Sequence, residues 1–223
     1  MIVDNQRTSV PVAVFGGRLL APMILRRIEA AGGGLRFAGL LNDTVAPGST
    51  IEGDTVLGPF GAWSALSADT QFAAPLHKAK EMPARAALVA ALGVPDVRWA
   101  TIVDPQAAIA PNAAIGVGSL VAPFVTVLPA TCIGRHVAIR QGVSVGHDVT
   151  VGDWCMIAAN ASIGGRVRIG EGTYVGMGVT VREDVSIGRW CVVGMGAVVL
   201  HDMPDFTIVA GNPARVIGEA PHA

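Results

Sequence analysis

An excess of charge of either sign is missing from this 223-residue chain, and large side chains are few. Lysine and arginine number 16 against 17 acidic residues, and a formal charge of −1 provides no attraction to nucleic acid or to an anionic membrane surface. Charged residues make up 15% and apolar residues 51% of the chain, which excludes intrinsic disorder. Aromatic residues are 5%, whereas glycine occurs 28 times, which favours a backbone packed in tight, repeated turns.

Cysteine is also scarce. Three cysteines are too few for a disulfide framework, and they favour a reducing, cytoplasmic location. The first ten residues contain no basic segment followed by an apolar one, so we expect no secretory signal.

One stretch, residues 105–134, carries no charged side chain and would be long enough to cross a bilayer. Four prolines interrupt it at multiples of six residues, namely Pro105, Pro111, Pro123 and Pro129. Because a helix has no use for that period, we predict no membrane-spanning helix here.

The period of six extends far beyond these prolines and determines the predicted fold. Ile or Val occupies seventeen successive positions spaced six apart: Val103, Ile109, Ile115, Val121, Val127, Ile133, Ile139, Val145, Val151, Ile157, Ile163, Ile169, Val175, Val181, Ile187, Val193 and Val199. The next residue is often glycine. This period fits neither a helix nor a simple alternating strand. It predicts a triangular solenoid in which three hexads form one 18-residue coil, and neighbouring coils stack about 4.8 Å apart.

The repeat resembles that of the hexapeptide-repeat acyltransferases, whose pattern is [LIV]-G-x-x-[small]-x. The resemblance implies a left-handed parallel β-helix over residues 103–204, whose crossovers are an exception to the right-handed rule. It also implies a homotrimer, which would cover the edges and ends of the coils.

Residues 1–102 have a different pattern, in which strands alternate with helices. Strands are predicted at Val10–Phe15, Leu35–Leu41 and 71–76, and helices at 19–31 and 81–92. This alternation predicts a small, parallel, Rossmann-like α/β domain.

Polar and small residues follow the first two strands of this domain. Gly16 and Gly17 could bring backbone amides close to a phosphate, and Asn42 with Asp43 is placed to contact a nucleotide. A glycine pair in a tight turn is the alternative, because GGRLLAP is not a GxGxxG fingerprint. These four residues are the candidate substrate contacts.

The order of the two parts, and the closing Gly211-Asn212-Pro213-Ala214-Arg215, resemble the bacterial sugar O/N-acetyltransferases. That family includes sialic acid O-acetyltransferases, UDP-bacillosamine-precursor 4-N-acetyltransferases and GDP-perosamine N-acetyltransferases. The resemblance implies that residues 1–102 bind a sugar or nucleotide-sugar. It also implies that acetyl-CoA lies along the β-helix between subunits, with 205–223 as a C-terminal tail.

The N-terminal part departs from the family pattern at two places. The first loop usually reads G-x-G-G-H-G, but here it is Gly16-Gly17-Arg18, shortened and without histidine. A stretch that often reads A-I-G-D-N is here APLHK, residues 74–78. Both differences concern the acceptor more than the acetyl donor.

Acyl transfer from a thioester needs a base for the nucleophile and a donor for the developing oxyanion. His147 occupies the third position of its hexad, an exposed turn position, and Asp148 follows it. One coil later, the same position holds Gly165. By resemblance, His147 is the general base and Asp148 its partner, and the Gly165 amide contacts the acetyl oxygen.

Candidate contacts for acetyl-CoA lie further along the chain. Met177 and Met195 stack one coil apart and could line the pantetheine arm or pack a trimer interface, and Gly196 follows Met195. Arg215 could reach the CoA phosphates, as could two further arginines, Arg182 and Arg189.

The other histidines and the cysteines are predicted to be structural or exposed rather than catalytic. We expect His136 to face solvent, and His201 lies three coils from His147, too far to act with it. Cys155 and Cys191 occupy inward positions two coils apart and are predicted to be structural.

The residues leave several functions open. N-acetylation of a nucleotide-linked amino sugar in surface-glycan biosynthesis is the leading prediction, and O-acetylation, as in the sialic acid enzymes, is the alternative at the same site. A zinc hydratase like the gamma carbonic anhydrases would need three converging imidazoles, which the histidine spacings do not provide in one subunit, so no metal is predicted. A non-catalytic scaffold or sensor is the third class.

Overall fold

The computed structural model describes residues 9–16, 20–76 and 81–221, and it begins with a small α/β unit. Its elements in chain order are β1 (Val10–Phe15), α1 (Leu20–Ala30), β2 (Leu35–Leu41), β3 (Thr50–Ile51), β4 (Asp54–Gly58), a 3₁₀ helix (Phe60–Ala65), β5 (Gln71–Ala73), α2 (Met82–Ala91) and a second 3₁₀ turn (Asp96–Arg98).

The strands of this unit form one sheet in the order β3-β4-β2-β1-β5, parallel except for the β3–β4 hairpin. The predicted bounds of β1 and β2 are confirmed. The third strand ends at Ala73 rather than at residue 76, and Pro75, which lacks a backbone N–H, follows two residues later. The β3–β4 hairpin was not predicted, because its two- and five-residue strands are too short for a clear alternation.

Helix α1 packs on the sheet through one apolar face. Ala21, Ile24, Leu25 and Ile28 are buried, and their spacing of three and four residues places them on one side of the helix. The carboxyl ends of β1 and β2, together with the start of α1, therefore meet at one edge of the sheet.

Seventeen two-residue strands then form a three-sided helix, as the six-residue period predicts. They are β6 (Ile102–Val103), β7 (Ala108–Ile109), β8 (Ala114–Ile115), β9 (Leu120–Val121), β10 (Thr126–Val127), β11 (Cys132–Ile133), β12 (Ala138–Ile139), β13 (Ser144–Val145), β14 (Thr150–Val151), β15 (Met156–Ile157), β16 (Ser162–Ile163), β17 (Arg168–Ile169), β18 (Tyr174–Val175), β19 (Thr180–Val181), β20 (Ser186–Ile187), β21 (Val192–Val193) and β22 (Val198–Val199).

Each strand pairs in parallel with the strand one coil away. Ser144 lies opposite Thr126 on one side and Ser162 on the other, so residues 18 apart are neighbours in space. The strands thus form three sheets, and the second residue of nearly every strand is buried inside the coil. The predicted left-handed β-helix is confirmed. Residues 105–134 lie within it, and none of the described helices is long and apolar enough to cross a membrane.

The corners between the sheets show why the repeat contains glycine. A Cβ atom on Gly146 would lie 2.6 Å from the Gly165 backbone nitrogen, so the next coil leaves no room for a side chain. Two residues after Gly146 the backbone is left-handed. The residue there is not glycine but Asp148, with φ 56°. At this corner, glycine is therefore required by close packing between coils rather than by its backbone freedom.

Residues 205–221 extend the β-helix, whereas the sequence predicts a tail. Strand β23 (Thr207–Ala210) pairs in parallel with β21, and β24 (Arg215–Glu219) returns antiparallel to β23. Thr207 and Val209 alternate inward and are buried, and this alternation directs the segment onto the sheet.

A histidine joins the α/β unit to the β-helix. His136 is 3% exposed, stacks on Trp154 with ring centroids 4.2 Å apart, and meets Trp99 edge to face at 4.9 Å. The prediction that His136 faces solvent is therefore wrong, because the segment around Trp99 covers this corner. Burial, reinforced by Arg85 and then Arg135, lowers the pKa of His136 to about 4.

This buried imidazole predicts a pH-dependent stability. In the unfolded chain His136 binds a proton near pH 6.5, whereas in the folded chain it does so only near pH 4. The free energy of unfolding therefore falls as the pH drops from about 6.5 to about 4. The loss attributable to His136 is expected to be roughly 3 kcal/mol. Urea unfolding at pH 7 and pH 4.5 should show it in the natural protein but not in His136→Phe. Equal pH slopes in the two proteins would contradict the prediction.

Candidate active site

Two corners of the β-helix carry the predicted functional residues. We call the turns after the strands of the six-stranded sheet the histidine corner; they include residues 146–149, 164–167, 182–185 and 200–203. We call the turns after the strands of the eight-stranded sheet the methionine corner; they include residues 122–125, 140–143, 176–179 and 194–197.

The histidine corner places His147 beside Asp148. The imidazole Nδ1 lies 2.6 Å from Asp148 Oδ2, and the two side chains are 48% and 57% exposed. Asp148 is anchored because its N–H donates to the Pro129 carbonyl at 3.0 Å. A carboxylate on Nδ1 favours the tautomer with the proton on Nδ1, which leaves Nε2 unprotonated and able to accept a proton. The pair can therefore act as a general base.

Gly165 lies directly above the free nitrogen of His147. A Cβ atom on Gly165 would stand 2.7 Å from His147 Nε2, so only glycine leaves this place open. Among the described residues, no oxygen accepts a hydrogen bond from the Gly165 N–H. A free amide next to an open base is an arrangement that can stabilise an oxyanion.

The predicted acetyl-CoA contacts lie elsewhere in the same chain. Met177 and Met195 stack on the methionine corner, 51% and 73% exposed, and the Gly196 N–H donates to the Met177 carbonyl at 2.8 Å. One face of the β-helix separates this corner from His147, so the chain does not bring the two groups together by itself. Exposed apolar side chains in a column indicate a surface that a ligand or another chain covers.

Arg215 lies on β24 beside a cleft of about 230 Å³ at the last coil. Among the described residues, its Nη1 donates only to the neighbouring Ala214 carbonyl, at 3.0 Å, which leaves most of the guanidinium available to a ligand. Arg189, by contrast, pairs with Asp205, with Nε to Oδ2 at 2.8 Å.

The candidate substrate residues of the α/β unit meet at the carboxyl edge of the sheet. Asn42 Nδ2 donates to the Gly16 carbonyl at 3.2 Å, and the side chain of Asp43 accepts a hydrogen bond from the Phe60 N–H at 2.6 Å. Gly17 lies outside the described residues, as do Arg18 and residues 77–80 of the second departure. Asn42 and Asp43 thus have structural roles in the loops that form this edge.

A larger cleft, about 540 Å³, lies between α1, the β3–β4 turn and the methionine corner. Its lining includes the half-exposed Met23, the exposed Phe124 and Arg140. The sequence did not indicate this cleft, because its walls come from segments about 100 residues apart.

The second His-Asp dipeptide, His201-Asp202, and the two inward cysteines differ from the His147 pair in their contacts. Asp202, next to His201, accepts a hydrogen bond from the Ser186 N–H at 2.8 Å, so the second His-Asp dipeptide does not form a second pair of the His147 kind. Cys155 and Cys191 are buried free thiols, as predicted. Within the described parts of the chain, no three His, Cys, Asp or Glu side chains cluster as a metal site would need.

Comparison with known proteins agrees with this architecture. Residues 131–165 and 166–201 match the bacterial transferase hexapeptide (six repeats) family. The acetyltransferase domain of PglB from Neisseria gonorrhoeae, also solved with acetyl coenzyme A, is 26% identical. The match covers 94% of this chain and 100% of that chain, with a TM-score of 0.81. No curated protein sequence matches the chain.

Two further solved structures share the whole fold. WeeI from Acinetobacter baumannii is 25% identical over 92% of this chain and 99% of its own, with a TM-score of 0.78. Perosamine N-acetyltransferase from Caulobacter crescentus, solved with CoA and GDP-perosamine, is 24% identical over 94% and 97%, with a TM-score of 0.80.

The repeat matches the bacterial transferase hexapeptide family over residues 131–165 and 166–201, and the two-part fold is shared with the acetyltransferase domain of PglB. The chain is an acyltransferase, and the resemblance to the sugar O/N-acetyltransferases predicted from its residues is confirmed.

Proposed function

We propose that the chain is an acetyl-CoA-dependent acetyltransferase that acylates the amino group of a nucleotide-linked sugar. The observation that carries the proposal is the histidine corner. There a base paired with a carboxylate, His147 with Asp148, lies under the free amide of Gly165. The acetyltransferase domain of PglB, which has the same two-part fold and was also solved with acetyl coenzyme A, supports an acetyl-CoA-dependent acetyltransferase.

The reaction follows from this geometry. The acceptor nitrogen attacks the thioester carbonyl while His147 Nε2 takes its proton, and the Gly165 N–H donates to the oxyanion of the tetrahedral intermediate. Collapse breaks the carbon–sulfur bond, and the imidazolium returns the proton to the CoA thiolate. The products are the acetamido sugar and CoA, and Asp148 stabilises the imidazolium in between.

The donor site is proposed to form between two protomers of a homotrimer. The histidine corner of one protomer would face the methionine corner of the next, where Met177, Met195 and Gly196 line the pantetheine arm and Arg215 meets the CoA phosphates. The separation of the two corners within one chain supports this arrangement, because neither corner alone encloses a thioester.

The acceptor is proposed to bind at the carboxyl edge of the α/β sheet, where Gly16, Asn42 and Asp43 lie. Open α/β sheets bind ligands at this edge. Free thiols at Cys132, Cys155 and Cys191 support a reducing cytoplasm as the place of reaction.

The test is CoA release from acetyl-CoA with UDP-, GDP- and dTDP-linked amino sugars and with free sialic acid. Turnover on one amino sugar, with a product that resists mild alkali as an amide does, supports the proposal. An alkali-labile product identifies an O-acetyltransferase. CoA binding without turnover on any acceptor favours a non-catalytic scaffold.

A further inference from the structure

Three charged residues stack in a column on the histidine corner. Asp148, Arg166 and Asp184 occupy the same turn position in successive coils, and all three have a left-handed backbone, with φ of 56°, 59° and 64°. Their positions are fixed by main-chain hydrogen bonds: the Arg166 N–H donates to the His147 carbonyl at 2.8 Å, and the Asp184 N–H donates to the Gly165 carbonyl at 3.0 Å.

Arg166 therefore has a carboxylate one coil below it and another one coil above it, each about 4.8 Å along the stack. It engages the upper one. Arg166 Nε lies 2.6 Å from Asp184 Oδ1, and Nη2 lies 2.7 Å from Oδ2, a two-pronged ion pair. The lower carboxylate, Asp148, is left to His147 at 2.6 Å.

The two pairs interact electrostatically. Arg166 has a raised pKa, chiefly from its hydrogen bond to Asp184, with a smaller contribution from Asp148. The pKa of Asp184 is lowered, first by Arg166 and more weakly by Arg182 and His147.

We propose that Asp184 is a positioning residue for the reaction, since it holds the Arg166 guanidinium away from Asp148 and so reserves Asp148 for His147. Without Asp184, the guanidinium can swing down one coil and form its two-pronged pair with Asp148. The imidazole then loses its acceptor at Nδ1, and a cation next to it opposes its protonation. The inference rests on the proposed function, because it assigns His147 as the base.

Other charges near this site lie on the turn that carries Asp184. Arg182 and Glu183 are both exposed and carry opposite charges. Glu183 lies one coil above Gly165, which itself lies one coil above His147. They remain unchanged in the variants below, so differences between those variants report on the Arg166–Asp184 pair.

The test is Asp184→Asn, alone and combined with Arg166→Ala, with kcat/KM measured across pH. Asp184→Asn is expected to lower kcat/KM by about 5-fold, the range of an exposed ion pair, and to move the acid limb to lower pH. The double variant should regain most of that loss, and Asp184→Glu should stay near the natural protein. Glu171→Gln makes the same charge change on another corner and serves as the control.

A second readout does not depend on turnover. Titration of the His147 ring by NMR, without substrate, should give a lower pKa in Asp184→Asn than in the natural protein, and the double variant should reverse the shift. If the ring pKa shifts but no acceptor is turned over, the proposed function fails and the positioning role stands. An unchanged ring pKa, or an equal loss with and without Arg166, would overturn the positioning role.

Discussion

Replacement of His147 by alanine is expected to lower kcat/KM for acetyl transfer by at least about 100-fold, within the range that general-base catalysis contributes. The loss should appear in kcat, because Nε2 takes the proton only as the nucleophile attacks. The side chain is 48% exposed, and within the described part of the chain its ion-pair partner is Asp148, so the fold should be unaffected. CoA release with the best acceptor from the panel, together with thermal unfolding, provides both measurements.

His147→Gln provides the matched control. Glutamine fills similar space and can donate a hydrogen bond to Asp148, but it has no basic nitrogen, so it should be as inactive as alanine. Recovery of activity in His147→Gln would mean that the side chain acts by packing. Turnover that survives both substitutions would refute His147 as the base while leaving the enzyme class intact.

Gly165→Ala is expected to abolish transfer to a similar degree, at least about 100-fold, because displacement of a reacting group by about 1 Å can cost that much. The added Cβ would stand 2.7 Å from His147 Nε2, where the thioester carbonyl must approach. Relief requires the imidazole to rotate, and rotation breaks its 2.6 Å contact with Asp148. Because the clash involves an exposed, movable side chain, the melting temperature should change little.

Gly34→Ala is the control for this substitution. A Cβ atom there would meet no atom within 4 Å, and the backbone is not left-handed, so activity and stability should stay unchanged. Steady-state kinetics and acetyl-CoA binding distinguish a slower chemical step, which lowers kcat, from weaker binding of acetyl-CoA. Normal kcat in Gly165→Ala would show that the thioester carbonyl does not approach through the space above His147 Nε2.

The sequence predicted the β-helix and the residues of the histidine corner, and the reason is geometric. A strict six-residue period makes residues 18 apart neighbours in space, so Gly165 could be placed over His147 by counting alone. The same counting placed Met177 under Met195 and Cys155 inside the coil. Short-range patterns likewise marked the strands Val10–Phe15 and Leu35–Leu41.

Contacts between distant parts of the chain could not be predicted in this way. His136 has the same turn position as the exposed Asp148, yet it is buried, because Trp99 from outside the repeat covers it. The six-residue pattern gives no information about contacts with residues outside the repeat, such as Trp99. Similarly, the C-terminal hairpin joins the sheet through β23, whose pairing with β21 continues no hexad.

The sequence by itself therefore determined the solenoid, its four-residue corners and the vertical order of side chains along each corner, because repetition converts spacing along the chain into stacking in space. Only the tertiary structure decided which partner each side chain takes. Arg166 stands between two carboxylates at equal spacing and pairs with Asp184, and Asp148 is thereby left to His147. Side-chain geometry makes that choice, and the repeat, which is symmetrical up and down the column, does not encode it.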